Sequence, residues 1–197
     1  GLSAYRWLRG DQGQGVRASL RTGLWVAAVL IPVQIAVGDA HGLNTLEHQP
    51  AKIAAMEGIW QTQRGAPAVL FALPDQATQS NRFEVAIPKL ASLYLTHDWN
   101  GEVKGIAAFG DQHPPVAPVF WAFRTMVGVG LLMLVVSWTG VWQMRHARST
   151  TGVPQAWLLR VLVAMTFAGW VALLAGWYVT EIGRQPWLVH GVLTTAQ

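Results

Sequence analysis

The chain contains no cysteine. Disulfides, thiolate metal sites, iron–sulfur clusters and cysteine-tethered haem are thereby excluded, and any metal must be held by His, Met, Glu or Asp. Charge is scarce too: 12% of the 197 residues are Asp, Glu, Lys or Arg, against 52% hydrophobic residues and 11 Trp. That balance is too apolar and too Trp-rich for an ordinary soluble domain and reads as a membrane protein. There is no initiator Met and no charged n-region followed by a small-residue cleavage site, and residues 1–9 look like the tail of an earlier apolar helix. A piece of a longer chain is therefore expected. Internal repeats and low-complexity tracts are both lacking.

Three stretches approach the about 20 apolar residues that a spanning helix needs: 22–38, 116–142 and 161–184. Pro32 inside the first predicts a kink. Arg6, Arg9, Arg17 and Arg21 lie in segment 1–21, and Arg145, Arg148 and Arg160 lie in the link 143–160, so both segments are expected on the cytoplasmic side. Residues 39–115 then lie outside, with eight acids against five bases and a net charge of −3. The overall excess of +4 thus belongs to the inner face. It orients the chain in the membrane and does not point to nucleic acid. A segment as long as 39–115 is expected to carry function. It has its own order signals: residues 51–60 read as a short amphipathic helix, and Pro67, Pro74, Pro88, Pro114 and Pro118 punctuate the rest. The expected fold class is all-α, a fragment of an integral membrane helical bundle with three transmembrane helices, a long extracytoplasmic loop and an extracytoplasmic tail at 185–197.

Ionisable groups at the mouth of the last span are costly and need a reason. With the helix running through Arg184, Trp177, Glu181 and Arg184 form one stripe at i, i+4 and i+7, and Pro186 stops it. An anionic Glu can ligate a haem iron and an Arg can pair with propionates, while a plain i, i+3 ion pair explains the same residues nearly as well. Arg124 and Met126 sit near the outer end of the second span, on different helix faces. Taken singly they read as an Arg that snorkels to headgroups and a Met that fills a gap. Gly130, one turn below Met126, clears room for a flat ring or for close helix packing. A Met thioether can face a His across a haem, yet none of the six His falls within a span: His41, His48, His97, His113, His146 and His190 all read as solvated. Lys52 to Glu57 opens the short outer helix and places a base and an acid near the membrane surface, with a solvated helix face as the default account. A carboxylate there can accept a proton from a hydroxyl substrate arriving from the bilayer, and an ammonium can hold its oxygen.

In this order, the residues resemble subunit I of the cytochrome bd-type quinol oxidases. The resemblance rests on Lys52-Ile53-Ala54-Ala55-Met56-Glu57, on Leu73-Pro74-Asp75-Gln76 with Asn81, Phe83, Ile87 and Pro88, on Pro115-Val116-Ala117-Pro118, on Ala122-Phe123-Arg124-Thr125-Met126 and on Gly183-Arg184-Gln185-Pro186-Trp187. It covers essentially the whole chain but only a middle portion of the family's longer subunit, in its short-loop form. Collinearity of several motifs is what makes it specific.

The resemblance implies a quinol-binding outer loop with Lys52 and Glu57 in quinol binding and oxidation. It implies Met126 as an axial ligand of a low-spin haem b with Arg124 beside it. Glu181 matches a glutamate of the high-spin haem pair, Trp177 a neighbour of that pair, and Arg184 a signature position. Electrons would pass from quinol through the low-spin haem to the high-spin pair, made of a haem b with haem d or a third haem b, where oxygen becomes water without proton pumping. The implied partners are quinol, oxygen, subunit II, a small accessory subunit and membrane lipid, in a bacterial cytoplasmic membrane. The family's haem-ligating histidines lie upstream of the matched region, so the fragment is not expected to assemble the redox centre alone. The rival reading is a haem-free membrane scaffold or assembly subunit whose loop binds a partner.

Overall fold

The computed structural model describes residues 1–146, 153–189 and 191–195; Arg148 and His190 lie outside the described residues. In chain order the elements are α1 (Leu2–Leu8), α2 (Gln14–His48), α3 (Pro50–Glu57), β1 (Gln63–Arg64), β2 (Ala68–Asp75), β3 (Ser80–Ile87), α4 (Leu90–Thr96), β4 (Glu102–Val103), α5 (Val116–His146), α6 (Ala156–Ala164), α7 (Ala168–Ile182), β5 (Trp187–Val189) and β6 (Leu193–Thr194). The fold is mostly helical, as its composition leads one to expect. Three helical segments are long and apolar enough to cross a membrane: Gln14–His48, Val116–Arg145 and Ala156–Ile182. Only 11%, 17% and 17% of their most apolar windows are buried. Their outward faces therefore need lipid or further protein around them.

Helix α2 runs well past its apolar stretch at both ends and takes in His41 and His48, which are exposed. At 1.5 Å per residue its 35 residues reach about 52 Å, more than the about 30 Å hydrocarbon layer. The last span is interrupted by a 3₁₀ turn at Met165–Phe167, where the Thr166 hydroxyl donates to the Val163 carbonyl at 2.5 Å. Helix α7 ends at Ile182, and Arg184 stands in the turn beyond it, so the helix does not run through Arg184.

The chain packs as two compact units, Gly1–Ala36 with Val127–Ala172 and Val37–Met126 with Leu173–Gln197. In the first, Trp7, Val16, Leu20, Leu24, Val141 and Leu159 form the core. Gly140 lets α2 approach α5: a Cβ there would lie 2.9 Å from the Leu24 side chain. Pro32 lacks the N–H that would bond to the Ala28 carbonyl, and the Trp138 indole donates to that carbonyl at 3.0 Å.

The second unit holds the segment between α2 and α5, and here strands appear that the helix-and-loop expectation for residues 39–115 did not include. Hairpin β2–β3 is antiparallel, with a register irregularity between Val69 and Phe71. Strand β3 alternates at Phe83, Val85 and Ile87, whereas β2 is an unbroken apolar run from Ala68 to Leu73. Its Val69 and Ala72 pack on Phe120 of α5. Helix α3 begins with Pro50 at its first turn and ends on Gly58 at φ 67°, a left-handed cap. Asn81 of β3 locks that cap: its amide donates to the Gly58 carbonyl at 2.9 Å and its oxygen accepts from the Trp60 indole at 2.8 Å. Ile53, Ala54, Ala55, Ile59, Val103, Ile106, Val116, Val119 and Val179 make the core beneath.

Candidate functional site

Glu57 is the last residue of α3 and is 2% exposed. A carboxylate so deeply buried must be paired. Arg124 of α5 supplies the partner, its Nη2 donating to Glu57 Oε2 at 2.8 Å while its Nε donates to the Val69 carbonyl at 2.5 Å. That carbonyl lies at the irregularity of the β2–β3 register. The guanidinium also stands over the rings of Phe120 and Phe123, at 4.7 and 5.2 Å from their centroids. Arg124 thus turns inward and does not snorkel. Tyr94 of α4, packed on the core beside α3, lies within electrostatic range of Glu57. Burial, reinforced by the Glu57 charge, pushes its ionisation far above the ordinary phenol range.

Lys52, one and a half turns earlier on α3, takes different partners. Its stem crosses Gly183: a Cβ there would meet Lys52 Cγ and Cε at 3.0 Å. The ammonium is held below the usual lysine range first by burial and then by Arg184, with Glu181 opposing. Arg184 Nη2 donates to Glu181 Oε1 at 3.0 Å, both side chains being nearly half exposed. A small crevice beside them is lined by Gln49, Lys52, Gln112, Gly183, Arg184 and Trp187. The ion pair expected from spacing is present, and it has a third charge within range.

Met126 Sδ lies against Gly176 of α7, 2.9 Å from where a Cβ would stand. Around Gly130, one turn on, a Cβ would meet nothing within 4 Å. Trp177 projects outward from α7, 57% exposed, touching the Tyr178 ring at 5.6 Å. The donor chemistry fits haem: a half-buried thioether beside two glycines, an accessible carboxylate, a guanidinium and an outward indole suit iron, propionate and macrocycle. Among the described residues no group of three His, Cys, Asp or Glu converges to hold a metal ion by itself.

Lys52 and Glu57 therefore do not share one cluster, and Arg124 joins Glu57. Tyr94, Gly176 and Gly183 escaped the sequence reading. Gly176, directly before Trp177, and Gly183, two residues after Glu181, offer no signal until the side chain lying over each is known.

The sequence matches the family described as cytochrome bd terminal oxidase subunit I over residues 1–197. The chain belongs to this family. Among curated bd oxidase relatives, the cytochrome bd ubiquinol oxidase subunit 1 of Bacillus subtilis (strain 168) is 33% identical over 210 residues, covering 100% of this chain and 44% of that protein. The cytochrome bd-II ubiquinol oxidase subunit 1 of Escherichia coli (strain K12) is 27% identical over 261 residues, covering 98% of this chain and 50% of that protein. The solved bd oxidase from Geobacillus thermodenitrificans superimposes with a TM-score of 0.87 at 28% identity, over 100% of this chain and 45% of that chain. This bd subunit I chain spans about half the length of the curated relatives it matches.

Proposed function

We propose that the chain is the quinol-handling and haem-facing portion of subunit I of a bacterial inner-membrane terminal oxidase, which oxidises membrane quinol and reduces oxygen to water. The observation that carries this reading is the buried Glu57–Arg124 pair at 2.8 Å, held on the same helical turn as Met126. A proton acceptor and an electron acceptor for one quinol are needed close together, and α5 gives them a common scaffold.

Glu57 takes a proton from the quinol hydroxyl at its carboxylate. Arg124 compensates the buried charge and fixes its position. Lys52, crowded by Arg184 and half-buried, gains an acceptor when a quinol oxygen meets its ammonium. Met126 would hold the iron of the low-spin haem b, and Glu181 that of a high-spin haem b. Arg184 would pair with a propionate and Trp177 would pack on the ring. When bound, haem supplies the one-electron chemistry that side chains lack.

The net −3 of residues 39–115 and the arginines flanking the spans support an outward-facing loop, so quinol protons leave on that side and a gradient forms by charge separation without pumping. Subunit II, a small accessory subunit and lipid are the candidates for covering the exposed span faces. The second haem of the high-spin pair is haem d or a further haem b.

Glu57→Gln in the intact oxidase keeps the size of the side chain and removes the acceptor. Quinol-driven oxygen uptake is expected to fall on the order of 10²-fold or more with haem content unchanged; undiminished turnover would exclude Glu57. Met126→Leu is expected to abolish or shift the low-spin band of the reduced spectrum, and an unaltered band would refute ligation. The same visible spectrum, taken on the wild type, separates haem d from haem b and both from a haem-free scaffold.

A further inference from the structure

Taking Glu57 as the quinol proton acceptor, we infer that Asn81 is a positioning residue for it, holding the end of α3 from which that carboxylate projects. Glu57 is the last residue of α3 and Gly58 its left-handed cap, so the Gly58 peptide sets where the Glu57 backbone stands. The Asn81 amide nitrogen donates to the Gly58 carbonyl at 2.9 Å and to Glu84 Oε2 at 2.8 Å, and its oxygen accepts from the Trp60 indole at 2.8 Å. An indole N–H only donates, whereas a carbonyl and a carboxylate only accept. The three partners therefore demand an acceptor on one branch and two donors on the other, which among short side chains is asparagine alone.

The hairpin is built to deliver this contact. In a regular strand residues three apart point to opposite faces, which would keep Glu84 from Asn81. Phe83 between them takes a left-handed φ of 52°, and the register slips between the Leu73–Arg82 and Phe71–Val85 pairs. That bulge turns Glu84 back toward Asn81. The Phe120 ring lies against Gly58, 3.1 Å from where a Cβ would stand, so the cap is held by α5 as well as by β3. Strand β2 of the same hairpin offers the Val69 carbonyl to Arg124 Nε. One hairpin thus fixes both members of the Glu57–Arg124 pair, the arginine directly through β2 and the glutamate through its cap by β3. Lys52 stands near the other end of α3 with its stem across Gly183, so a change at Asn81 reaches the proton acceptor and leaves the lysine seated.

Asn81→Asp in the intact oxidase keeps the shape and the acceptor for Trp60, and turns the donor into a second acceptor facing the Gly58 carbonyl and Glu84. The expected result is a fall in kcat per haem for quinol oxidation on the order of tenfold, with KM for quinol within about twofold of wild type and an unchanged haem spectrum. A purely structural cap would instead lower the thermal midpoint and leave kcat per haem alone. Glu84→Ala, an exposed change, frees the amide and is expected to lower kcat about threefold. In a Glu57→Gln background Asn81→Asp is expected to add no further loss, because the group it positions is gone. An unchanged kcat per haem in Asn81→Asp, or a KM effect without one, would overturn the inference; should that variant fail to assemble, an unchanged kcat in Glu84→Ala would do so. A full additional loss in the Glu57→Gln background would overturn it too. The two readings fail separately: Glu57→Gln with normal turnover removes the proton acceptor itself, whereas lost turnover there beside normal turnover in Asn81→Asp removes only the asparagine.

Discussion

Arg124 reaches a buried carboxylate, a backbone carbonyl and two aromatic rings at once. Removing one partner of a buried pair leaves the other charge uncompensated, a change that costs about 3–5 kcal/mol. Arg124→Ala is therefore expected to lower the thermal midpoint of the assembled oxidase clearly, and adding Glu57→Gln is expected to restore part of the loss. Arg124→Lys is expected to recover less, since a single ammonium does not reproduce a planar fork that serves both Glu57 and the Val69 carbonyl. The residue types at this site were legible from the chain; their partnerships were only partly so. Lys52 and Glu57 look joined because they bracket one short helix, yet five residues at 3.6 per turn set them about 140° apart around its axis. Arg184 and Glu181, three apart, met as spacing requires. No spacing rule links Tyr94 to Glu57, because their proximity depends on how α4 docks.

Pro32 shows the same limit at the scale of elements. Its place inside an apolar run suggested a kink, yet α2 continues as one helix through it, and nothing in the sequence told what would happen to the carbonyl it strands. Trp138 of α5 takes that carbonyl, so the donor missing at Pro32 is replaced by a tie to α5. Trp138→Phe is expected to cost about 1 kcal/mol in thermal or denaturant unfolding of the complex. In a Pro32→Ala background the cost is expected to shrink, because residue 32 then supplies the missing N–H; equal costs in both backgrounds would refute the tie. The spans themselves were legible because hydrophobicity sets them. Their ends were not, since helical hydrogen bonds carry α2 on through polar residues to His48. In hairpin β2–β3 only β3 alternates, at Phe83, Val85 and Ile87; β2 is an unbroken apolar run from Ala68 to Leu73 that ends at Pro74, so no period-two pattern announced the pairing.

At the scale of the whole molecule, the uneven charge makes a claim about sidedness that no internal contact can supply. Arg6, Arg9, Arg17 and Arg21 flank the first span on one side, while residues 39–115 carry the net −3. In the proposed orientation, the positive-inside bias puts the α3 to α4 segment, with Lys52 and Glu57, on the outer face. Under the proposed function, that placement decides where quinol protons go, and so whether oxidation adds to the gradient or drains it. The lack of cysteine makes the test direct, because one introduced thiol is the only labelled group in this chain. Ser80→Cys at the exposed start of β3 is expected to react with a membrane-impermeant maleimide in intact cells. Gln12→Cys, exposed between α1 and α2, is expected to stay unlabelled until the membrane is permeabilised. The reverse pattern would place proton release on the inner face. The site geometry around Glu57 would stand unchanged, but the energy-conserving part of the proposed function would fall.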